Sequence, residues 1–153
     1  MEKNYSEAIK LFDQSVKIKP DFWQAINNKG LAYFEKNNIN SSINLFKKAI
    51  SIEENAEPLL GLASCLRMKD IELALQLTKK ALNKDPKYVS YNYRKEQLWG
   101  DKLQASTEIL LKNDQLQTDV ILAKSKINES SWLPTLENIS LRISLNLINQ
   151  YVF

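Results

Sequence analysis

The chain has no histidine and only one cysteine, Cys65. These absences exclude an intrachain disulfide, a zinc site built from cysteine and histidine, and a histidine general base. A glycine-rich phosphate loop is also missing, and no pair of acidic residues has a recognisable catalytic context. We therefore predict a non-catalytic protein that uses neither a metal ion nor a cofactor.

Glycine and proline are scarce, with three and four copies in 153 residues. So few residues suited to tight turns argue against a β-sandwich or β-barrel and favour long helices. Hydrophobic residues make up 44% of the chain, which is enough for a core. The expected fold class is all-α.

Charge is nearly balanced, with 21 Lys and Arg against 18 Asp and Glu, and the basic residues are scattered. Nucleic-acid binding is therefore not expected. No stretch reaches the roughly 18 apolar residues of a membrane span, and the first residues, MEKNYSEAIKLF, lack the apolar core of a secretory signal. We expect a soluble, cytoplasmic protein.

A pattern of residue types occurs three times, in segments that begin at Tyr5, Ile39 and Ile71, at offsets of 34 and 32 residues. Small and large apolar residues follow one another at spacings of three and four, which places them on one wide face of a helix. Proline or glutamate closes each unit. The aligned positions are Ala8, Ser42 and Ala74; Phe12, Phe46 and Thr78; Ser15, Ala49 and Ala81; and Pro20, Glu54 and Pro86.

A second helical pattern lies between these segments. The pattern consists of Ile26, Gly30 and Tyr33, and it recurs 33 residues later at Leu59, Ala63 and Leu66. Each unit is therefore predicted to be a helical hairpin joined by a polar turn. The alternative is an ordinary helical bundle with an accidental repetition, which the fixed period disfavours.

The two patterns together resemble the tetratricopeptide repeats, whose period is 34 residues. Gly30, Tyr33, Phe46 and Ala49 match the family pattern, and the sequence departs from it at Lys29, Glu54 and Thr78. The resemblance covers roughly residues 5 to 88. It implies a right-handed superhelical α-solenoid of helix-turn-helix repeats with C-terminal capping helices, and a protein or peptide partner on its concave surface.

The chain is predicted to have five parts. Residues 1–20 are the lone second helix of a truncated repeat, 21–54 and 55–86 are complete repeats, 87–127 are capping helices, and 128–153 are a tail of uncertain structure. Within the cap we expect one helix after Pro86 with a kink at Gly100, then another from about 115 to 127. In the tail, Ile139, Leu141, Ile143, Leu145 and Leu147 alternate with polar residues; a helix, an edge-pairing segment and partial disorder all remain open.

The first helix of the first hairpin is missing, so Ala8, Phe12 and Ser15 are expected to leave an apolar strip exposed at the amino-terminal edge. Our hypothesis is that self-association covers this edge or that the chain is part of a longer array. Two further functional readings stay open: the repeat segment of a larger enzyme or assembly factor, and a structural homo-oligomer. Repeat folds specify a surface shape, and the choice of partner depends on the residues that stand on that surface.

The resemblance also implies where a ligand would bind, namely on the first helix of each hairpin. Asn28 is the sharpest candidate, because its amide can donate to and accept from a peptide backbone; the alternative is an ordinary solvated helix surface. A clamp for a ligand's terminal carboxylate, as in the chaperone-binding members, is not evident. The candidate partner-binding residues are Gln24, Asn27, Asn28, Leu31 and Phe34, then Leu60, Gly61, Ser64, Arg67 and Met68.

The sequence also predicts the surroundings of several arginine, cysteine, tyrosine and tryptophan residues. Arg67 and Arg94 could contact an acidic partner, although solvent exposure without a partner is the commoner case. Cys65 is expected to be buried and inert. Tyr33, Tyr91, Trp99 and Trp132 are expected in the core or cap.

Overall fold

The structure, a computed structural model, describes residues 4–132, and this part of the chain consists of helices and turns without a strand. The all-α repeat fold is thus confirmed there. The alternating residues Ile139 to Leu147 lie outside the described residues. The helices are α1 Tyr5–Ile18, α2 Trp23–Glu35, α3 Ile39–Ile52, α4 Ala56–Leu66, α5 Ile71–Lys84, α6 Tyr91–Glu96, α7 Asp101–Leu111 and α8 Gln117–Trp132, with short 3₁₀ helices at Pro86–Val89 and Asp114–Leu116.

Helices α1 to α5 pack consecutively against one another, and the second helix of every hairpin starts in the same way. The side chains of Asn4, Asn38 and Asp70 each accept a hydrogen bond from the backbone N–H three residues later, at 3.1, 3.3 and 3.1 Å. Such caps satisfy a donor that the first turn of a helix leaves unpaired. The caps recur at the same offsets as the apolar pattern, so the repeat includes its helix starts.

The packing of the hairpins centres on Phe46 of α3, which is fully buried. A Cβ atom placed on Gly30 of α2 would lie 2.9 Å from Cε1 of this ring, and one on Gly61 of α4 would lie 2.7 Å from its Cζ. The Ser42 hydroxyl also donates to the Gly30 carbonyl oxygen at 2.9 Å. The ring is therefore held between two first helices, which explains the small residues at these positions.

The segment after Pro86 differs from the expected single helix with a kink. Helix α6 ends in a turn in which Leu98 N donates to Lys95 O at 3.0 Å and Trp99 N donates to Arg94 O at 3.1 Å. This pattern is a Schellman C-cap, and it places Leu98 in the left-handed region with φ of 65°. Gly100 does not kink a helix but is the N-cap residue of α7, with φ of −80°.

Helices α7 and α8 leave the repeat in different directions. Helix α8 packs on α5 and on the 3₁₀ turn Pro86–Val89, beyond the last complete hairpin. It includes nearly all of the helix expected at 115–127 and continues to Trp132. Helix α7 instead packs against α2, α4 and α5, along the face that the first helices share.

Candidate functional site

Helix α7 occupies much of the face where an open groove was expected. Ser64 of α4 shares a hydrogen bond of 2.7 Å with the Thr107 hydroxyl, and its carbonyl oxygen accepts from the Ser106 hydroxyl at 3.0 Å. Arg67 Nε donates to the same Ser106 hydroxyl at 3.3 Å. The polar groups of α4 that were expected to meet a partner therefore meet the chain's own helix.

The start of α7 is held by Glu35, the last residue of α2. The Glu35 carboxylate accepts from the backbone N–H of Leu103 at 2.9 Å and of Lys102 at 3.3 Å, while Lys102 Nζ donates to the Glu35 carbonyl oxygen at 2.7 Å. A carboxylate at a helix N-terminus satisfies unpaired donors and interacts favourably with the helix dipole. A Cβ atom on Gly100 would overlap the Glu35 carboxyl group, so a larger residue here would have to displace this carboxyl group from its cap.

A second connection joins α2, α4 and the turn before α7 through the buried carboxyl of Glu57. Trp99 Nε1 donates to Glu57 Oε1 at 2.8 Å, and Asn27 Nδ2 donates to Glu57 Oε2 at 2.8 Å. Asn27 is fully buried, and its Oδ1 has no hydrogen-bond partner among the described residues. Burial raises the pKa of Glu57 to about 7, although both hydrogen bonds act to lower it.

Arg94 is not the solvent-exposed residue, available to an acidic partner, that the sequence suggested. Its side chain is completely buried, where it donates to Gln104 Oε1 at 2.8 Å and to the Tyr88 carbonyl oxygen at 2.6 Å, and forms an ion pair with Glu108. A buried guanidinium is tolerated because its donors have acceptors. Arg94 thus fastens α6 to α7.

The predicted site residues consequently fall into different environments. The expectation that they face an open groove is wrong for Asn27, Leu60 and Ser64, which are buried where α7 and the Glu57 network fill the space, and Gly61 is buried against Phe46. Leu31 and Phe34 retain 6% and 7% exposure, so both are largely buried as well. Gln24 and Met68 are exposed, whereas Asn28 and Arg67 are half-buried. Their contact with a partner stays a prediction.

The structure shows the surroundings of three further residues that were assigned from the sequence. Cys65 is buried, and burial raises the pKa of its thiol to about 12, which makes the reactive thiolate rare. Trp99 is buried in the core at 2% exposure. Tyr91 lies in α6, within the predicted capping segment 87–127, and is 45% exposed.

Among residues 4–132, an open groove remains at the amino-terminal end. This N-terminal groove has a volume of about 560 Å³ and lies between α1, α2 and the turn that joins α6 to α7. Sequence reasoning missed the third wall, because nothing local indicates that residues 95–100 return to α2. The groove is lined by Asn4, Tyr5, Ala8 and Phe12; by Asn28, Leu31, Ala32 and Glu35; and by Lys95, Leu98, Trp99 and Gly100.

The apolar strip expected at the amino-terminal edge forms part of this groove. Ala8 and Phe12 line it and are half-buried, whereas the half-buried Ser15 donates its hydroxyl hydrogen bond to Leu11 O at 3.0 Å. The α6–α7 turn therefore shelters part of the strip that we expected to be exposed. Self-association through it stays a prediction.

The rim of the N-terminal groove carries a small number of polar groups. Asn28 Oδ1 accepts from Asn27 Nδ2 at 3.3 Å, and its own amide nitrogen donates to no acceptor among the described residues. Lys95 is exposed and forms no salt bridge within the described part of the chain. Burial, with the carboxylates of Glu35 and Asp101, raises the pKa of Tyr5, so this phenol stays neutral.

These features define an α-helical repeat protein with one end of its shared face open. A family model described as tetratricopeptide repeat matches residues 24–55, and the chain therefore contains a tetratricopeptide repeat, which confirms the resemblance seen in the sequence. No curated protein matches the chain. Among residues 4–132 there is no helix long and apolar enough to cross a membrane, and no cluster of acidic, Cys or His side chains that could hold a metal ion.

Proposed function

We propose that this protein is a non-catalytic scaffold that binds a polypeptide partner in the N-terminal groove. The single observation that carries the proposal is the groove itself, an open, largely apolar cavity of about 560 Å³ on the first helix of a tetratricopeptide repeat. Concave sites with an apolar lining and few polar groups are where proteins commonly bind ligands.

The polar groups at the rim favour a polypeptide over a small apolar molecule. The Asn28 amide nitrogen can donate to a backbone carbonyl, and the Lys95 ammonium can pair with a carboxylate. Phe12 and Leu98 offer large apolar surface between them, and Leu98 is 81% exposed. Aromatic and apolar anchors with a polar rim are typical of protein interfaces.

The predicted partner-binding residues then have two roles in this proposal. Asn28 and Leu31 line the groove and contact the partner directly, and the exposed Gln24 extends the same face of α2 by one turn. The others, Asn27, Phe34, Leu60, Ser64 and Arg67, support the surface from within or hold α7 in place. A cytoplasmic location stays a prediction for cell fractionation.

Site-specific crosslinking in the native cell tests the proposal. A photoreactive lysine analogue at Lys95 lies in the groove, and the same analogue at the exposed Lys47 of α3 is the matched control. We expect one defined peptide of another protein to be joined to position 95 and not to position 47, as read by mass spectrometry. Equal labelling from both positions, or none from either, contradicts a binding site here.

A further inference from the structure

The repeat itself shows what normally covers the wall of the N-terminal groove. In the second hairpin, Phe46 is fully buried because Gly30 of its own first helix lies on one side and Gly61 of the next first helix lies on the other. Phe12 is the residue 34 positions before Phe46, and Asn28 is the residue 33 positions before Gly61. Both line the groove, where Phe12 is only half-buried, whereas Phe46 is fully buried between its two glycines.

We infer that the N-terminal groove receives one amphipathic α-helix from a partner protein, with a glycine or other small residue against Phe12. This inference rests on the proposed function and names its ligand class. Tyr5, Ala8, Phe12 and Ser15 have the spacing of Ile39, Ser42, Phe46 and Ala49, the stripe on which α3 packs against α2. A stripe at helical spacing fits the ridges of a second helix, and an extended strand would match it poorly.

The turn from α6 to α7 adds a second, independent observation. Leu98 occupies the C′ position of a Schellman motif, where glycine is usual, with φ of 65°. The left-handed conformation costs a non-glycine residue about 1–2 kcal/mol, and here it holds an apolar side chain, 81% exposed, at the groove. Strain retained at an exposed apolar residue indicates a surface kept for an apolar ligand.

The length of α1 and the charge of Lys95 indicate the length and the charge of the partner helix. Helix α1 has 14 residues, so a partner helix of about four turns, or about 21 Å, would cover it. Lys95 at the groove has no salt-bridge partner among the described residues, and it favours an Asp or Glu on the polar side of the incoming helix. The occupant is thus an acidic-flanked amphipathic helix with one small residue at its centre.

The probe for this experiment is available in the chain itself. A capped, fluorescein-labelled peptide with the sequence of residues 21–36 contains α2, the first helix whose Gly30 fits against Phe46. We expect it to bind the full chain with a saturable change in anisotropy. The same peptide with Gly30→Leu should bind about tenfold or more weakly, because the added side chain meets the Phe12 ring.

Two variants of the full chain test whether the peptide binds in the N-terminal groove. Leu98 and the matched control Leu122 of α8 are exposed large apolar residues, at 81% and 53%, but only Leu98 lines the groove. Leu98→Ala should weaken peptide binding several-fold, whereas Leu122→Ala should leave it unchanged. Circular dichroism of both variants shows whether each is folded, since removal of an exposed side chain should not unfold the chain.

The outcomes separate this inference from the function on which it rests. No saturable binding up to about 1 mM, a Kd worth only about 4 kcal/mol, or equal binding of the Gly30→Leu peptide, overturns the helix inference. If Lys95 then still crosslinks to a partner segment, the scaffold proposal stands without it. A chain that sediments as a dimer, and as a monomer after Leu98→Ala, would replace the partner helix by a second copy and also overturns the inference.

Discussion

Glu57 is the residue whose perturbation tests the interior of this structure most directly. The residue is 9% exposed, and its carboxyl accepts hydrogen bonds from Trp99 and Asn27, so it joins α4 to the α6–α7 turn and to α2. Burial raises its pKa from 4.5 to about 7. We predict that Glu57→Gln removes a specific pH dependence of the free energy of unfolding.

The sign follows from proton binding. A carboxyl with a raised pKa in the folded state binds more protons when folded, so its contribution to stability is fully present below about pH 4.5 and is lost as the pH rises through about 7. The difference between the two pKa values, at about 1.36 kcal/mol per unit, corresponds to roughly 3 kcal/mol. The wild-type chain should therefore lose stability from this group between pH 5 and pH 8.

Glutamine is close to the shape of the protonated acid. Its side-chain oxygen can accept from Trp99 Nε1, and its nitrogen can donate to Asn27 Oδ1 after rotation of the Asn27 amide; that oxygen has no partner among the described residues. We expect Glu57→Gln to equal the wild type near pH 5 and to exceed it at pH 8 by up to about 3 kcal/mol.

The assay is urea denaturation followed by circular dichroism at pH 5, 6, 7 and 8. Other titrating groups are common to both proteins and cancel in the difference between them. Glu53→Gln, at an exposed position on the C-cap of α3, is the matched control and should leave the pH profile unchanged. A Glu57→Gln variant whose stability changes with pH as the wild type does, or which is less stable at pH 8, refutes the reasoning.

Three further predictions, each with its own control, concern the free energy of unfolding measured by urea denaturation. Gly30→Ala should lower the free energy of unfolding by about 1–2 kcal/mol, because its Cβ meets Phe46 Cε1 at 2.9 Å and overpacking outweighs the better helix propensity of alanine. In a Phe46→Leu background the same substitution should stabilise the chain instead. A loss of stability that persists in that background would contradict the explanation. Gly100→Ala should lower the free energy of unfolding by about 1–2 kcal/mol, because it displaces the Glu35 carboxylate from the start of α7. It should have little effect when Glu35→Ala has already removed this cap. An equal loss of stability in both backgrounds argues against the cap. Leu98→Gly should raise the free energy of unfolding by about 1 kcal/mol, because glycine adopts the left-handed backbone without strain. Asn37→Gly, at the equivalent turn after α2 with φ of 61°, should raise it less because asparagine tolerates this region. A larger gain at Asn37 would contradict the assignment of strain to Leu98.

The helical hairpins were predictable because local and periodic signals agree. Asn4, Asn38 and Asp70 cap their helices at the repeat spacing, and Gly30 and Phe46 meet as the repeat pattern implies. The segment after Pro86 was not predictable in the same way. Its apolar spacing suits one helix, and the break occurs at Leu98, a residue with no preference for the left-handed conformation that it adopts.

The sequence by itself determined the repeat, its period, and the burial of one face of each helix, because these depend on residue types at fixed spacing. Only the tertiary structure decided that α7 lies on the shared face of α2 and α4, and that the N-terminal groove forms between α1, α2 and the α6–α7 turn. The contacts responsible join Glu35 to Leu103 and Glu57 to Trp99, pairs 68 and 42 residues apart. Each is a single polar pairing without a period, so its partner becomes apparent only when the chain is folded.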